Sequence, residues 1–113
     1  MAINSREKGR KGEAELAKIL RERGYEARRG QQFCGANGDA DVVGLPGYHI
    51  ECKRVEKLNL EAAMEQSKRD ARQGEIPIVV HRKNRHEWLA TLRLEDFLDI
   101  IQSKGAENEV SKE

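Results

Sequence analysis

The chain is short of what would build a large core. Leu, Ile, Val and Phe together number 24 of 113 residues, close to the composition at which chains stop folding. A near-neutral net charge of +1 argues against disorder all the same. So small a core favours support from homodimerisation. Cysteine is equally scarce. Cys34 and Cys52 lie in no CxxC spacing and have no partnering histidine pair. That argues against a zinc site and for free thiols in a reducing compartment. No apolar run approaches membrane-spanning length and the first residues hold no apolar signal region, so a soluble, cytoplasmic protein is expected. Internal repeats and a domain boundary are both lacking. One domain over residues 1–103, followed by a flexible acidic tail at 104–113, accounts for the whole chain.

Charge is what the chain has in abundance: 36% of residues are ionisable Asp, Glu, Lys or Arg. It is also segregated. Residues 1–29 carry a net +4, 30–52 carry -3, 53–93 carry +4 and 94–113 carry -4. An acidic middle between basic flanks suits a polyanion held around a cation site.

Periodicity gives the order of elements. Ser5 is placed to cap a helix running to about Arg23, stopped by Gly24, with Leu16, Ala17, Ile19 and Leu20 on its apolar face. Glu13 stands three, four and seven residues before Leu16, Ala17 and Leu20, on the buried stripe, an odd place for an acid. Gly9 and Gly12 would let a backbone or a phosphate come close. Tyr25–Arg29 reads as a strand, 30–39 as a loop, and 42–45 and 48–53 as two strands around "LPG". Asn59 caps a second helix, with Gly74 at its end. "IPIVV" (76–80) reads as a central buried strand and "EWLATL" (87–92) as its neighbour. A last amphipathic helix covers 95–102. The order is αβββαββα, an α/β fold.

The chemistry centres on "HIECKR" (49–54), where Glu51 and Lys53 share one strand face and Ile50 and Cys52 the other. Whether Asp41 joins them depends on the turn. A two-residue loop would send Asp41 to the opposite side from Glu51. Pro46-Gly47 favours a type II turn, which does not suit a two-residue hairpin. An odd-length loop pairs Asp41 with Glu51 and gathers Asp41, Glu51 and Lys53 on one face. That register is the one expected here. Two carboxylates so opposed repel, with Cβ atoms about 5 Å apart. A hard divalent cation removes the penalty, and Mg²⁺ commonly takes one or two carboxylates plus waters and phosphate oxygens. Lys53 would orient or deprotonate a water if desolvated, or stabilise charge on a phosphate if protonated.

An early helix with a glutamate, then "GDADVVG", "IECK" and a helix with a glutamine resemble the PD-(D/E)XK nuclease superfamily. In layout the chain is most similar to small archaeal-type Holliday junction resolvases and related phage nucleases. The resemblance spans residues 5–101 in element order. It implies a restriction-endonuclease-like fold, with a central mixed five-stranded sheet flanked by helices. It also implies phosphodiester cleavage in DNA dependent on Mg²⁺ or Mn²⁺. Matched position by position, Asp41 takes the place of the motif aspartate, and Glu51 and Lys53 those of the acid and lysine of E-x-K. The Cys52 backbone carbonyl would complete the metal shell, Glu13 matches the first-helix glutamate, and Gln66 the supporting glutamine of the next helix. Ala40 stands where the motif has proline, and Asp39, on the same face, rivals Asp41. The loop "QQFCGANG" lacks the serine that resolvases usually place there.

Basic side chains near these positions are candidate DNA contacts: Arg6, Lys8, Arg10 and Lys11 at the start of the first helix, and Arg28 and Arg29 before the loop. Such groups supply affinity through phosphates without reading sequence. A four-way junction cut by a homodimer is the expected substrate and assembly, since a two-fold dimer presents two sites to a two-fold branch. A structure-specific or defence-type nuclease, or a DNA-binding module without catalysis, are the alternatives. The clustered carboxylates speak against the last, because a binder of phosphates gains nothing from them.

Overall fold

The computed structural model describes residues 5–31 and 40–111, with side chains for 7–31 and 40–104. Eight elements follow in the order α1 (Ser5–Glu22), β1 (Arg28–Arg29), β2 (Val42–Val43), β3 (Tyr48–Arg54), α2 (Leu60–Asp70), β4 (Ile76–Arg82), β5 (Leu89–Leu92) and α3 (Leu94–Ser111). The strands form one mixed sheet in the order β1-β2-β3-β4-β5. Only β3 and β4 run parallel, joined through α2; the other neighbours are antiparallel. This is the expected αβββαββα arrangement of a restriction-endonuclease-like fold.

The two faces of the sheet have different partners. Ile50, Cys52 and Ile78 pack with Val42 and Ala27 against Leu16 and Ala17 of α1. Helix α2 covers the other face through small residues. Ala63 and Ser67 are buried, and the Ser67 hydroxyl donates to the His49 carbonyl at 3.1 Å. Asn59 caps α2 as its sequence suggests, its side chain accepting from the Ala62 N–H at 3.0 Å.

The "LPG" turn settles the register. The Tyr48 N–H donates to the Leu45 carbonyl at 3.3 Å, and Gly47 has φ 86°, the positive value that the third residue of a type II turn requires. Val42 pairs with Ile50, so the odd-length loop is the one formed and Asp41 falls opposite Glu51. Gly44 has φ 110°, and a Cβ there would lie 2.3 Å from the Glu26 carbonyl oxygen.

Several boundaries differ from the sequence pattern. Strands β1, β2 and β5 are shorter than expected. Helix α2 ends at Asp70, with Ala71 as its C-cap, and Gly74 forms the turn beyond. Helix α3 does not stop at 102 but continues to Ser111, through most of the segment expected as a flexible tail. It makes no extensive packing with another element among the described residues. Its stripe of Leu94, Phe97, Leu98 and Ile101 is left between 45% and 69% exposed.

Candidate active site

Strand β2 is two residues long and β3 is seven, so β3 runs past its antiparallel neighbour. Asp41 sits where β2 gives out. Its N–H donates to the Ile50 carbonyl at 3.0 Å, and its carbonyl accepts from the Gly30 N–H at 2.8 Å. Its side chain then does what a next strand residue would have done. Oδ2 accepts the buried Cys52 N–H at 2.8 Å. A residue's N–H and C=O leave a strand on the same edge. The Cys52 carbonyl therefore emerges beside Asp41, while its thiol lies in the core among Ile50 and Leu16. Burial, and then the charges of Asp41, Glu13 and Glu51, push that thiol far up, so it stays protonated.

Glu51 is only 3% exposed. Burial first and the Asp41 charge second push its carboxyl up to about 7. Lys53 opposes the rise, its Nζ lying 3.5 Å from Oε2, and Asp70 at the end of α2 adds to it. Glu13 is raised for the same two leading reasons, burial and then Asp41. Arg29 works against both through a hydrogen bond from Nε to Glu13 Oε1 at 3.1 Å. Helix α1 thus delivers its out-of-place acid to the same field as the two sheet carboxylates.

Three carboxylates share this corner with Lys53 and Arg29, and two of them resist ionisation. Among the described residues no three His, Cys, Asp or Glu side chains already converge as a closed metal cage. The donor set is nonetheless that of a hard cation: Asp41 and Glu51 opposed, the Cys52 carbonyl beside them, and an excess of negative charge. An open shell completed by water and phosphate is how Mg²⁺ is usually held.

The remaining expected residues are less closely gathered. Gln66 is half-buried on α2, on the stripe that contains Ala63 and Asp70, and is not hydrogen-bonded to the carboxylates. Asp39 lies outside the described residues, as does the side chain of Arg6. Arg10 and Lys11 are exposed on α1, Lys11 within 4.0 Å of Glu7. Lys8 reaches Glu56 at 3.8 Å. Arg28 and Arg29 are both exposed, and Arg29 pairs with Glu13 at 3.1 Å. Gly12 admits the Arg54 side chain, whose Cβ would lie 2.9 Å from a Cβ at that position. Two neighbours have no counterpart among the residues the sequence pattern singles out. Asp70 bears on Glu51, and His81 is the register partner of Lys53 on β4. The pattern of "IPIVVHR" contained the second, since β3 and β4 are parallel strands read in step.

Residues 4–112 match the family described as "Phage putative PDDEXK endonuclease". The chain belongs to that family. Searches of curated proteins and of solved structures returned no match. The match covers nearly the whole chain, and an endonuclease family implies a DNA substrate. Among the described residues no helix is long and apolar enough to cross a membrane.

Proposed function

We propose that this family member is an endonuclease that hydrolyses phosphodiester bonds in structured DNA with Mg²⁺ or Mn²⁺, and that its substrate is a four-way junction. The observation that carries the reading is Asp41 opposite a buried Glu51 whose carboxyl is raised to about 7, with Lys53 beside it. Asp41, Glu51 and the Cys52 carbonyl would hold the cation, with Glu13 reaching it directly or through water. A cation so held polarises a phosphate oxygen and lowers the pKa of a bound water. Lys53 Nζ lies 3.5 Å from Glu51, from where an ammonium would stabilise charge gathering on the phosphate. Arg29 keeps Glu13 turned toward the site, and Gln66 supports the α2 side. Arg6, Lys8, Arg10, Lys11 and Arg28 would carry the flanking phosphates.

The working form in this reading is an intracellular homodimer. The exposed stripe Leu94, Phe97, Leu98 and Ile101 supports it, because its spacing of three and four residues is that of a helix seam.

The test is incubation of the full chain with a four-way junction and with duplex, flap and single-stranded controls, in Mg²⁺, Mn²⁺ or EDTA. Symmetric metal-dependent cuts confined to the junction are expected, with Asp41→Asn abolishing cleavage and sparing binding. Cuts in flaps or duplex alone replace the junction reading with a general structure-specific or defence nuclease. Tight binding without cleavage in any metal leaves only a DNA-binding module.

A further inference from the structure

Beyond Lys53 the same sheet face carries a cavity that the cleavage chemistry does not use. His81 pairs in register with Lys53, so both side chains rise from one face on adjacent strands, about 5 Å apart. Past them lies a cavity of about 280 Å³, lined by Val55, Leu58 and Leu89 and by His81 and His86, with two acids, Glu56 and Glu87, and two bases, Arg82 and Lys83, completing it. Leu89 is 52% exposed and Val55 38%. Neither belongs to the core cluster.

The walls are built rather than loose. His81 Nε2 lies 2.9 Å from the Thr91 hydroxyl, which fixes the ring on β4. The hairpin above is closed by the His86 N–H donating to the Lys83 carbonyl at 3.1 Å. His86 Nδ1–H donates to the Asn84 carbonyl at 2.9 Å, which sets that ring as well. The Asn84 N–H donates to Glu56 at 2.8 Å, tying the hairpin to the segment after β3. Arg85 holds φ 63°, a left-handed value that a long side chain adopts only where its surroundings enforce it.

We propose that this cavity receives one unstacked nucleobase of the strand whose phosphate lies at Lys53. This deepens the nuclease reading and rests on it. Aliphatic walls and imidazole rings take the flat face of a base, as aromatic platforms do for single strands, without reading its identity. The backbone on either side of that base is met by Lys53 and Lys83. A base can enter only where stacking is already broken, at a branch point or a single-stranded edge, because extruding one from intact duplex costs a few kcal/mol. The cavity thereby selects branched over continuous DNA.

The experiment measures binding in EDTA, where cleavage is off, using the full chain and a branched DNA with 2-aminopurine at the branch point. A second DNA carries an abasic site at that position. Wild-type protein is expected to change the 2-aminopurine fluorescence and to bind the intact branch about tenfold more tightly than the abasic one. Leu89→Ser and His81→Ala should each reduce that ratio to below twofold while leaving abasic binding unchanged; His81→Phe should keep it. Equal wild-type affinity for intact and abasic branches overturns the proposal, as does a tenfold ratio retained in Leu89→Ser. If it fails in either way while metal-dependent cleavage persists, the nuclease reading stands. Absence of both binding and cleavage with every DNA overturns both.

Discussion

Replacing Glu51 by Gln should make the metal-free protein more stable at pH 8, and the size of the gain follows from the site. The carboxyl is raised from an ordinary 4.5 to about 7 by burial and by Asp41. A tenfold change in a protonation equilibrium is worth about 1.4 kcal/mol, so ionising Glu51 costs about 3 kcal/mol more in the folded protein than in the unfolded chain. The sign follows from linkage. A raised folded pKa contributes stability that is full below pH 4.5 and is lost as pH rises through 7. Wild-type protein in EDTA should therefore weaken between pH 5 and pH 8. Glu51→Gln, with nothing to ionise there, should lose much less, and should exceed wild type at pH 8 by about 2–3 kcal/mol. Urea denaturation at a series of pH values reads both curves. Adding Mg²⁺ at pH 8 should recover wild-type stability and leave Glu51→Gln unmoved, while at pH 5 neither protein should respond. A wild-type curve flat from pH 5 to 8, with Glu51→Gln no more stable than wild type at pH 8, would refute the reasoning.

Three further outcomes are expected. Arg29→Met removes the partner that holds the Glu13 carboxyl down, so that carboxyl should titrate higher still; carboxyl-carbon NMR titration in EDTA checks the direction. Gly44→Ala drives a Cβ into the Glu26 carbonyl at a positive φ and should cost more than about 2 kcal/mol, whereas Gly74→Ala, with open space around it, should cost only the ~1 kcal/mol of backbone strain. Chemical denaturation of the two variants distinguishes steric collision from strain alone. Phe97→Glu should convert the proposed dimer to a monomer in light scattering, because the side chain is 46% exposed on the α3 stripe; a wild-type monomer at micromolar concentration rules out the seam.

Much of the site was legible because strand geometry is strict. Pro46-Gly47 restricts the turn, the turn restricts the loop length, and an odd loop leaves Asp41 only one side on which to fall. Glu13 could be found because a carboxylate on an apolar helical stripe needs a reason. Other features depend on pairs distant in sequence. Nothing near Arg29 marks Glu13, sixteen residues earlier, as its partner. Nothing near Glu51 marks Asp70, which arrives only because α2 packs closely through Ala63 and Ser67. The end of α3 escaped the sequence pattern for another reason. The segment after residue 102 is polar and contains Gly105, which reads as fraying. An unpacked helix owes nothing to a core face, however, so the pattern that normally marks a helix boundary is absent there.

The early end of β2 connects fold to site. Had the strand continued, a backbone carbonyl would have met the Cys52 N–H and the edge of β3 would have been closed. Instead Asp41 meets it with a charged oxygen, and the charge is felt at Glu51, Glu13 and Cys52 alike. One residue terminates a strand, satisfies a buried donor and makes its neighbours costly to ionise. A fold selected for stability alone would place asparagine there, which keeps the hydrogen bond and drops the repulsion. Retaining aspartate opposite a buried glutamate is intelligible when a cation completes the site. Under the proposed reading, a divalent ion bound there would relieve the repulsion that the metal-free site carries.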